Sequence, residues 1–258
     1  MSIRNIRYGL LAVLALTIAA AAQTDDSREY HWKGTLAAEN IVFVKNVNGN
    51  IEADVATGNE VEVTAEKSGE HADEAKIGMV QLKDGVMFCV IYPGWFDDHC
   101  EESHFHHQSG NGPKVHFTIR VPENLRFTGE NVNGNVTAEN MGRFVKATSV
   151  NGKVRVSTKS WAELSSVNGS LEGKMGHADW TGTLKIETVN GSISLEMPSD
   201  LSADVKFESV NGRLHTEFPM NVQGSMDAHS IRGQIGSGGR ELKIETVNGG
   251  AELRKGTM

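Results

Sequence analysis

Apolar and polar positions alternate along much of this chain, and the alternation is organised around one short phrase. The phrase is Val-Asn-Gly, followed by a polar and then an aliphatic residue. It occurs at Val47-Asn48-Gly49, Val132-Asn133-Gly134, Val150-Asn151-Gly152, Val167-Asn168-Gly169, Val189-Asn190-Gly191, Val210-Asn211-Gly212 and Val247-Asn248-Gly249. Ile231-Arg232-Gly233 reads as a degenerate eighth copy. From Gly134 onward the glycines recur every 16 to 22 residues, a period that indicates stacked structural repeats.

Asn-Gly alone is a strong hairpin signal. The flanks favour a different reading. The second residue before the glycine is always aliphatic, and the second after it (Val136, Val154, Leu171, Ile193, Leu214, Ile235, Ala251) is too. Taken as inward positions, these carry the alternation straight through the phrase. A further apolar position lies five before the glycine, at Leu164, Ile186, Phe207 and Ile244. It is an odd step from the valine, so the strand is expected to bend near Ser166, Thr188, Ser209 and Thr246 to keep both inside. The expected fold is all-β: a parallel β-solenoid, β-helix-like, built from Val-Asn-Gly coils. The phrase would turn the same corner of each coil, with glycine at positive φ and the asparagines stacked in a ladder.

Ahead of the array, Ile41-Val42-Phe43-Val44, Ile51 to Val55 and Val61 to Ala65 read as strands, with a turn at Thr57-Gly58-Asn59. Ala75 to Leu82 and Val86 to Tyr92 flank Lys83-Asp84-Gly85, a hairpin signal. Trp95 to Gly112 lacks periodicity and reads as a surface loop before the alternating strand Val115 to Val121. Residues 70–122 are therefore expected to form a hairpin and loop insertion. The whole of 23–258 forms one solenoid domain, and Gln23 to Tyr30 is a polar leader.

Residues 1–22 read as a signal peptide. Arg4 and Arg7 precede an apolar run from Gly9, and Ala20-Ala21-Ala22 offers small residues for cleavage. That run is short for a membrane span, so the mature chain is expected to carry none. Removing Arg4 and Arg7 leaves 23 basic residues against 33 acidic ones, a net charge of −10. With no basic cluster, nucleic acid is a poor partner. The expected location is exported: periplasm, cell surface or extracellular.

The repeated Ser/Thr-Val-Asn-Gly-x-aliphatic phrase, the leader and the cysteine-bearing insertion resemble the bacterial DUF4097 family of β-strand-repeat proteins, also labelled "putative adhesin". Gly176-His177-Ala178-Asp179-Trp180-Thr181-Gly182 and Gly238-Gly239-Arg240-Glu241-Leu242 add to the likeness, which runs from about Ile41 to Leu253. The resemblance implies a β-solenoid in the cell envelope and supplies no catalytic motif. The departure at Ile231-Arg232-Gly233 would interrupt an asparagine ladder.

Candidate chemistry is sparse. Cys89 and Cys100 are the only cysteines, and in an exported chain they are expected to pair as a disulfide. His99, His104, His106 and His107 form a cluster that could bind Zn²⁺ or Cu²⁺, though its spacing fits no established metal motif; a solvated loop is the plainer account. Glu130, Glu187, Glu208 and Glu245 share the position four before the glycine, with Lys45, Thr148, Ser165 and His229 in the other copies. That mixture reads as a solvated ridge. No nucleophile elbow or phosphate loop occurs. The expected function is a non-enzymatic envelope scaffold or surface-binding, adhesin-like module without a cofactor, its partner an envelope polysaccharide or protein. The alternatives are a polysaccharide-active β-helix enzyme and a metal-responsive envelope sensor.

Overall fold

The computed structural model describes residues 22–25, 28–92, 100, 112–222 and 229–256. Apart from a 3-10 turn at Ala72–Glu74, their regular structure is all strand. The first eight strands are β1 (Ala22–Asp25), β2 (Glu29–Thr35), β3 (Ile41–Asn48), β4 (Ile51–Val55), β5 (Glu60–Ser68), β6 (Lys76–Leu82), β7 (Gly85–Ile91) and β8 (Lys114–Val121). The regular array follows: β9 (Arg126–Asn133), β10 (Val136–Met141), β11 (Val145–Asn151), β12 (Val154–Thr158), β13 (Ala162–Asn168), β14 (Leu171–Met175), β15 (Thr183–Asn190) and β16 (Ile193–Met197). The last six are β17 (Ala203–Asn211), β18 (Leu214–Thr216), β19 (Met220–Val222), β20 (Ser230–Ile235), β21 (Glu241–Asn248) and β22 (Ala251–Lys255).

They form two sheets of eleven strands. The first runs β1-β2-β5-β8-β4-β10-β12-β14-β16-β22-β18; the second runs β19-β20-β17-β21-β15-β13-β11-β9-β3-β7-β6. Each intact phrase ends a strand of the second sheet and passes the chain to the first, as from β9 to β10 or β15 to β16. Equivalent strands pair in parallel and in register, with Asn133, Asn151, Asn168 and Asn190 opposite one another. The phrase is thus a corner between sheets, not a hairpin. We call each pair of strands so joined a rung. The core lies between the sheets, filled by Val44, Phe127, Leu164, Ile186 and Ile244 from one side and Ile51, Val136, Leu171, Ile193 and Leu253 from the other.

Inside and outside are reversed at the phrase relative to the expectation. Leu184, Ile186 and Thr188 of β15 are buried in strict alternation, and Val189 faces out. No bend is needed, because the inward residue beside the corner is the hydroxyl residue, not the valine. Ser149, Ser166, Thr188 and Thr246 are all buried. Burial of a hydroxyl requires a partner, and each has one. Ser149 donates to the Gly134 carbonyl, Ser166 to Gly152, Thr188 to Gly169, Thr246 to Gly191 and Ser209 to Gly249, at 2.9–3.4 Å. Asn131 and Asn46 fill the same position in their rungs and donate to the Gly49 and Val115 carbonyls.

The glycine is set by close approach. A Cβ at Gly152, Gly169, Gly191 or Gly212 would collide with the glycine carbonyl of the neighbouring rung. Positive φ is found at Gly49, Gly134 and Gly249, but not at Gly191 or Gly212, so the expected left-handed corner does not hold for those two. What excludes a side chain there is the backbone of the next rung.

Rung order also departs from chain order. β21 lies between β15 and β17, in register with both, and β22 lies between β16 and β18. The last phrase therefore stacks ahead of Val210-Asn211-Gly212. Ile231-Arg232-Gly233 is no corner at all: it lies in β20, antiparallel to β17, with Phe207 opposite Ile231. The expected break in the asparagine ladder is absent for this reason. His229 correspondingly does not join the row of Glu208 and Glu245.

At the other end, β7 and β8 pair in parallel with β3 and β4. The expected insertion thus supplies a strand to each sheet in parallel with the rung of β3 and β4. The hairpin at Asp84-Gly85 forms as expected, with β6 antiparallel to β7. Antiparallel strands close the stack: β5, β2 and β1 beyond β8, β6 beyond β7, and β20 and β19 beyond β17. Of the expected polar leader, residues 23–25 and 29–30 are strand, and Tyr30 and the following Trp32 alternate into the core, where Trp32 meets Phe88 edge-on at 5.1 Å. Of the proposed signal peptide, residues 1–21 lie outside the described residues.

Candidate binding face along the Val-Asn-Gly corner

Stacking the rungs converts the phrase into parallel rows about 4.8 Å apart per rung. The asparagine row is continuous. Asn133 donates from Nδ2 to Asn48 Oδ1, Asn151 to Asn133, Asn168 to Asn151, Asn190 to Asn168, Asn248 to Asn190 and Asn211 to Asn248, at 2.7–3.0 Å. Each interior asparagine uses one N–H and one oxygen lone pair in this chain. The remainder is free to meet solvent or a ligand. Tyr92 sits against Asn48 at the first end of the row, and burial pushes its hydroxyl pKa up to about 12 against hydrogen bonding to Asn48.

Beside the amides runs the valine row. Val47 and Val132 are covered, at 7% and 5% exposure. Further along, Val167, Val189, Val247 and Val210 are 41%, 39%, 38% and 62% exposed. In the rung order set by strand pairing these four are consecutive. Every other residue of the phrase has a folding role: hydroxyl inward, amide in the ladder, glycine against the next rung. The exposed valines have none visible in the core, and they form an apolar ridge flanked by unsatisfied amide capacity.

Two residues further back on the same face, Glu187, Glu245 and Glu208 are adjacent, followed by Lys185, Lys243 and Lys206. Glu130 is several rungs away, with Thr148 and Ser165 between. Partial burial pushes the Glu245 carboxyl up, but hydrogen bonds from Lys243 and its charge, with contacts to Glu208 and Glu187, outweigh it and leave the group below its ordinary range. Lys243 pairs with Glu245 at 2.7 Å and Lys206 with Glu208 at 2.9 Å. Two of the three adjacent carboxylates are thus ion-paired with lysines of the neighbouring row.

The remaining expectations fall on the Cys-bearing segment. Cys89 is joined to Cys100 in a disulfide with Cα atoms 5.8 Å apart, packed over Gly78 of β6. His99, His104, His106 and His107 lie outside the described residues. Among the described residues, no group of three or more His, Cys, Asp or Glu side chains is arranged to hold a metal. At the opposite corner, Met141, Thr158, Met175 and Pro198 line a shallow groove of about 450 Å³; its lysines are already engaged, Lys159 with Glu123 and Lys174 with Glu196.

The Toastrack DUF4097 family pattern matches residues 33–254, almost the whole described chain. The chain belongs to this family. As a Toastrack DUF4097 protein it shares a solenoid-like, all-β architecture of two many-stranded sheets. Among solved structures it is similar to a "putative cell adhesion protein" from Clostridium sporogenes, at 11% identity and a TM-score of 0.48, covering 89% of this chain and 100% of that one. A "putative adhesin" from Bacteroides fragilis is 11% identical with a TM-score of 0.39, covering 88% and 98%. No curated protein matches the chain. Among the described residues, no helix is long and apolar enough to cross a membrane.

Proposed function

We propose that this Toastrack DUF4097 protein is an exported, non-enzymatic envelope protein, built as a parallel β-solenoid of Val-Asn-Gly coils, that works as a scaffold or adhesin-like binding module. The observation that carries this reading is the ridge of Val167, Val189, Val247 and Val210 beside an unbroken amide ladder. Exposed apolar residues in a contiguous line mark interaction surfaces. The ridge is extended and flat, which suits an elongated partner such as an envelope polysaccharide or a protein surface. The disulfide is consistent with an oxidising compartment. In the row of Glu187, Glu245 and Glu208, on an open face, Glu245 and Glu208 are ion-paired, which supports a solvated ridge over a polysaccharide-cleaving site.

The test is a capture experiment from envelope fractions with the chain from residue 23, run with a glycan array. A fourfold variant, Val167→Ser, Val189→Ser, Val247→Ser and Val210→Ser, serves as the comparison. The reading expects the variant to keep its melting temperature and lose the captured partner. Equal capture by both proteins would move the binding function off this ridge.

A further inference from the structure

The last rung is a plug in a slot. β15 and β17 never pair with each other; the gap between them is filled by β21, and that between β16 and β18 by β22. The chain builds the flanking strands first in sequence, turns outward through β18, β19 and β20, and only then returns to fill the gap. Its route back is Gly236-Ser237-Gly238-Gly239-Arg240, in which all three glycines have positive φ, at 59°, 71° and 105°. Polar contacts from the β17 side hold this connection. The Ser237 N–H donates to Ser202 Oγ at 3.0 Å and the Gly239 N–H to Asp204 Oδ2 at 3.0 Å.

The plug is also a copy of the wall it packs against. Leu184–Gly191 and Leu242–Gly249 are the same eight residues, Leu-Lys-Ile-Glu-Thr-Val-Asn-Gly. They lie side by side, parallel and in register, Leu184 opposite Leu242 through Asn190 opposite Asn248. Identical strands in parallel register present identical side chains to each other, the arrangement that makes strand stacking self-complementary. Nothing in the slot distinguishes a plug of the same chain from one of another copy. Buried Trp180, whose indole N–H donates to the Glu241 carbonyl at 3.0 Å, and Thr183, whose hydroxyl donates to Glu241 Oε2 at 2.7 Å, would receive either.

We propose that the final rung is exchangeable: Glu241–Lys255 of a second copy of this chain can occupy the slot between β15 and β17, giving a strand-exchanged homodimer hinged at Gly236–Arg240. Exchange reforms every rung contact in trans, so the balance is set by concentration and by the hinge. The hinge must cross the end of β17 to reach the far side, a span of two strand spacings, about 9.6 Å. Deleting Gly236 to Gly239 leaves only Arg240 between β20 and β21, a reach of about 7 Å. That chain cannot fill its own slot.

The test uses the full chain carrying Glu187→Cys and Glu245→Cys. These positions are lateral neighbours whose Cα spacing of about 4.8 Å suits a disulfide. The protein is refolded at rising concentration, oxidised, and read by non-reducing electrophoresis and peptide mass spectrometry. A 187–245 bridge within one chain at low concentration, giving way to the same bridge between two chains as concentration rises, is the expected result. The deletion of Gly236 to Gly239, in the otherwise native chain, is expected to elute as a dimer or larger assembly that retains the strand signal in circular dichroism. Only intrachain bridges at every concentration would overturn the proposal, as would a folded monomer of the deletion variant.

Discussion

Gly191→Ala places a methyl group where the structure has no room for one. A Cβ built at Gly191 would lie 2.1 Å from the Gly169 carbonyl oxygen and 2.6 Å from its carbon. Carbon and oxygen need more than 3 Å, so the rungs must separate locally by about an ångström. Both obstructing atoms are backbone, and no side-chain rotation relieves them. Spreading this corner also stretches the hydrogen bond from Thr188 to the Gly169 carbonyl and the Asn190–Asn168 ladder bond, both of which cross the same gap. Overpacking of this kind costs about 1–3 kcal/mol. For a chain of this size that corresponds to a fall in melting temperature of about 2–12 °C. Gly58→Ala is the control, since a Cβ there meets nothing within 4 Å and the residue has no positive φ. It should be neutral or stabilising by up to about 1 kcal/mol. Thermal scans by circular dichroism at matched concentration decide the matter. If the two variants melt within about 1 °C of each other, the close approach of successive glycines is not what fixes this position.

Thr188→Val keeps the shape of the side chain but leaves the Gly169 carbonyl without its hydroxyl donor, so chemical denaturation should report a loss of about 1–3 kcal/mol. Asn190→Ala removes two ladder bonds at an exposed site; about 1–2 kcal/mol is expected, less than for a buried pair, and read by the same titration. Reducing the Cys89–Cys100 disulfide, or replacing both residues with serine, should cost roughly 2–3 kcal/mol, as the two are only 11 residues apart. Glu245 has a folded-state pKa below its ordinary value, so its contribution is present above the unfolded carboxyl pKa and lost as pH falls through the folded one. Glu245→Gln should therefore flatten the acid limb of the stability profile; because Glu245 also holds the Lys243 pKa above its ordinary value, the loss of stability as Lys243 deprotonates at alkaline pH should weaken too.

The repeat period, the parallel stacking, the Asp84-Gly85 hairpin and the Cys89–Cys100 disulfide could all be read from the residues. The reversal at the corner was also written there, in a form easily misread. An aliphatic residue two before every glycine invites an inward assignment, yet the odd step back to Leu164, Ile186, Phe207 and Ile244 contradicts it. Placing the small hydroxyl residue inside removes the contradiction without a bend: Ser149, Ser166, Thr188, Ser209 and Thr246 recur at one position because each satisfies a glycine carbonyl. Tyr30 and Trp32 carry period-two alternation too, but two aromatic residues at the end of a polar leader and just beyond it make a weak signal. Rung order was not legible at all. Strands that read alike, Leu184–Gly191 and Leu242–Gly249 above all, hold no information about which lies beside which. The departure from chain order comes where β20 pairs antiparallel with β17 and β19, in a sequence that resembles a damaged repeat. The valine ridge follows from the same reversal, and so could not be recognised before it.

Cysteine accessibility tests the orientation of the corner most directly. Single substitutions Val189→Cys, Val247→Cys and Val210→Cys, with Thr188→Cys beside them, are challenged with a thiol reagent in the native protein and rates compared with the unfolded chain. With the valine outward and the threonine inward, the three valine positions react at near-unfolded rates and position 188 is protected. Protection of the valine positions together with fast reaction at 188 would contradict the account.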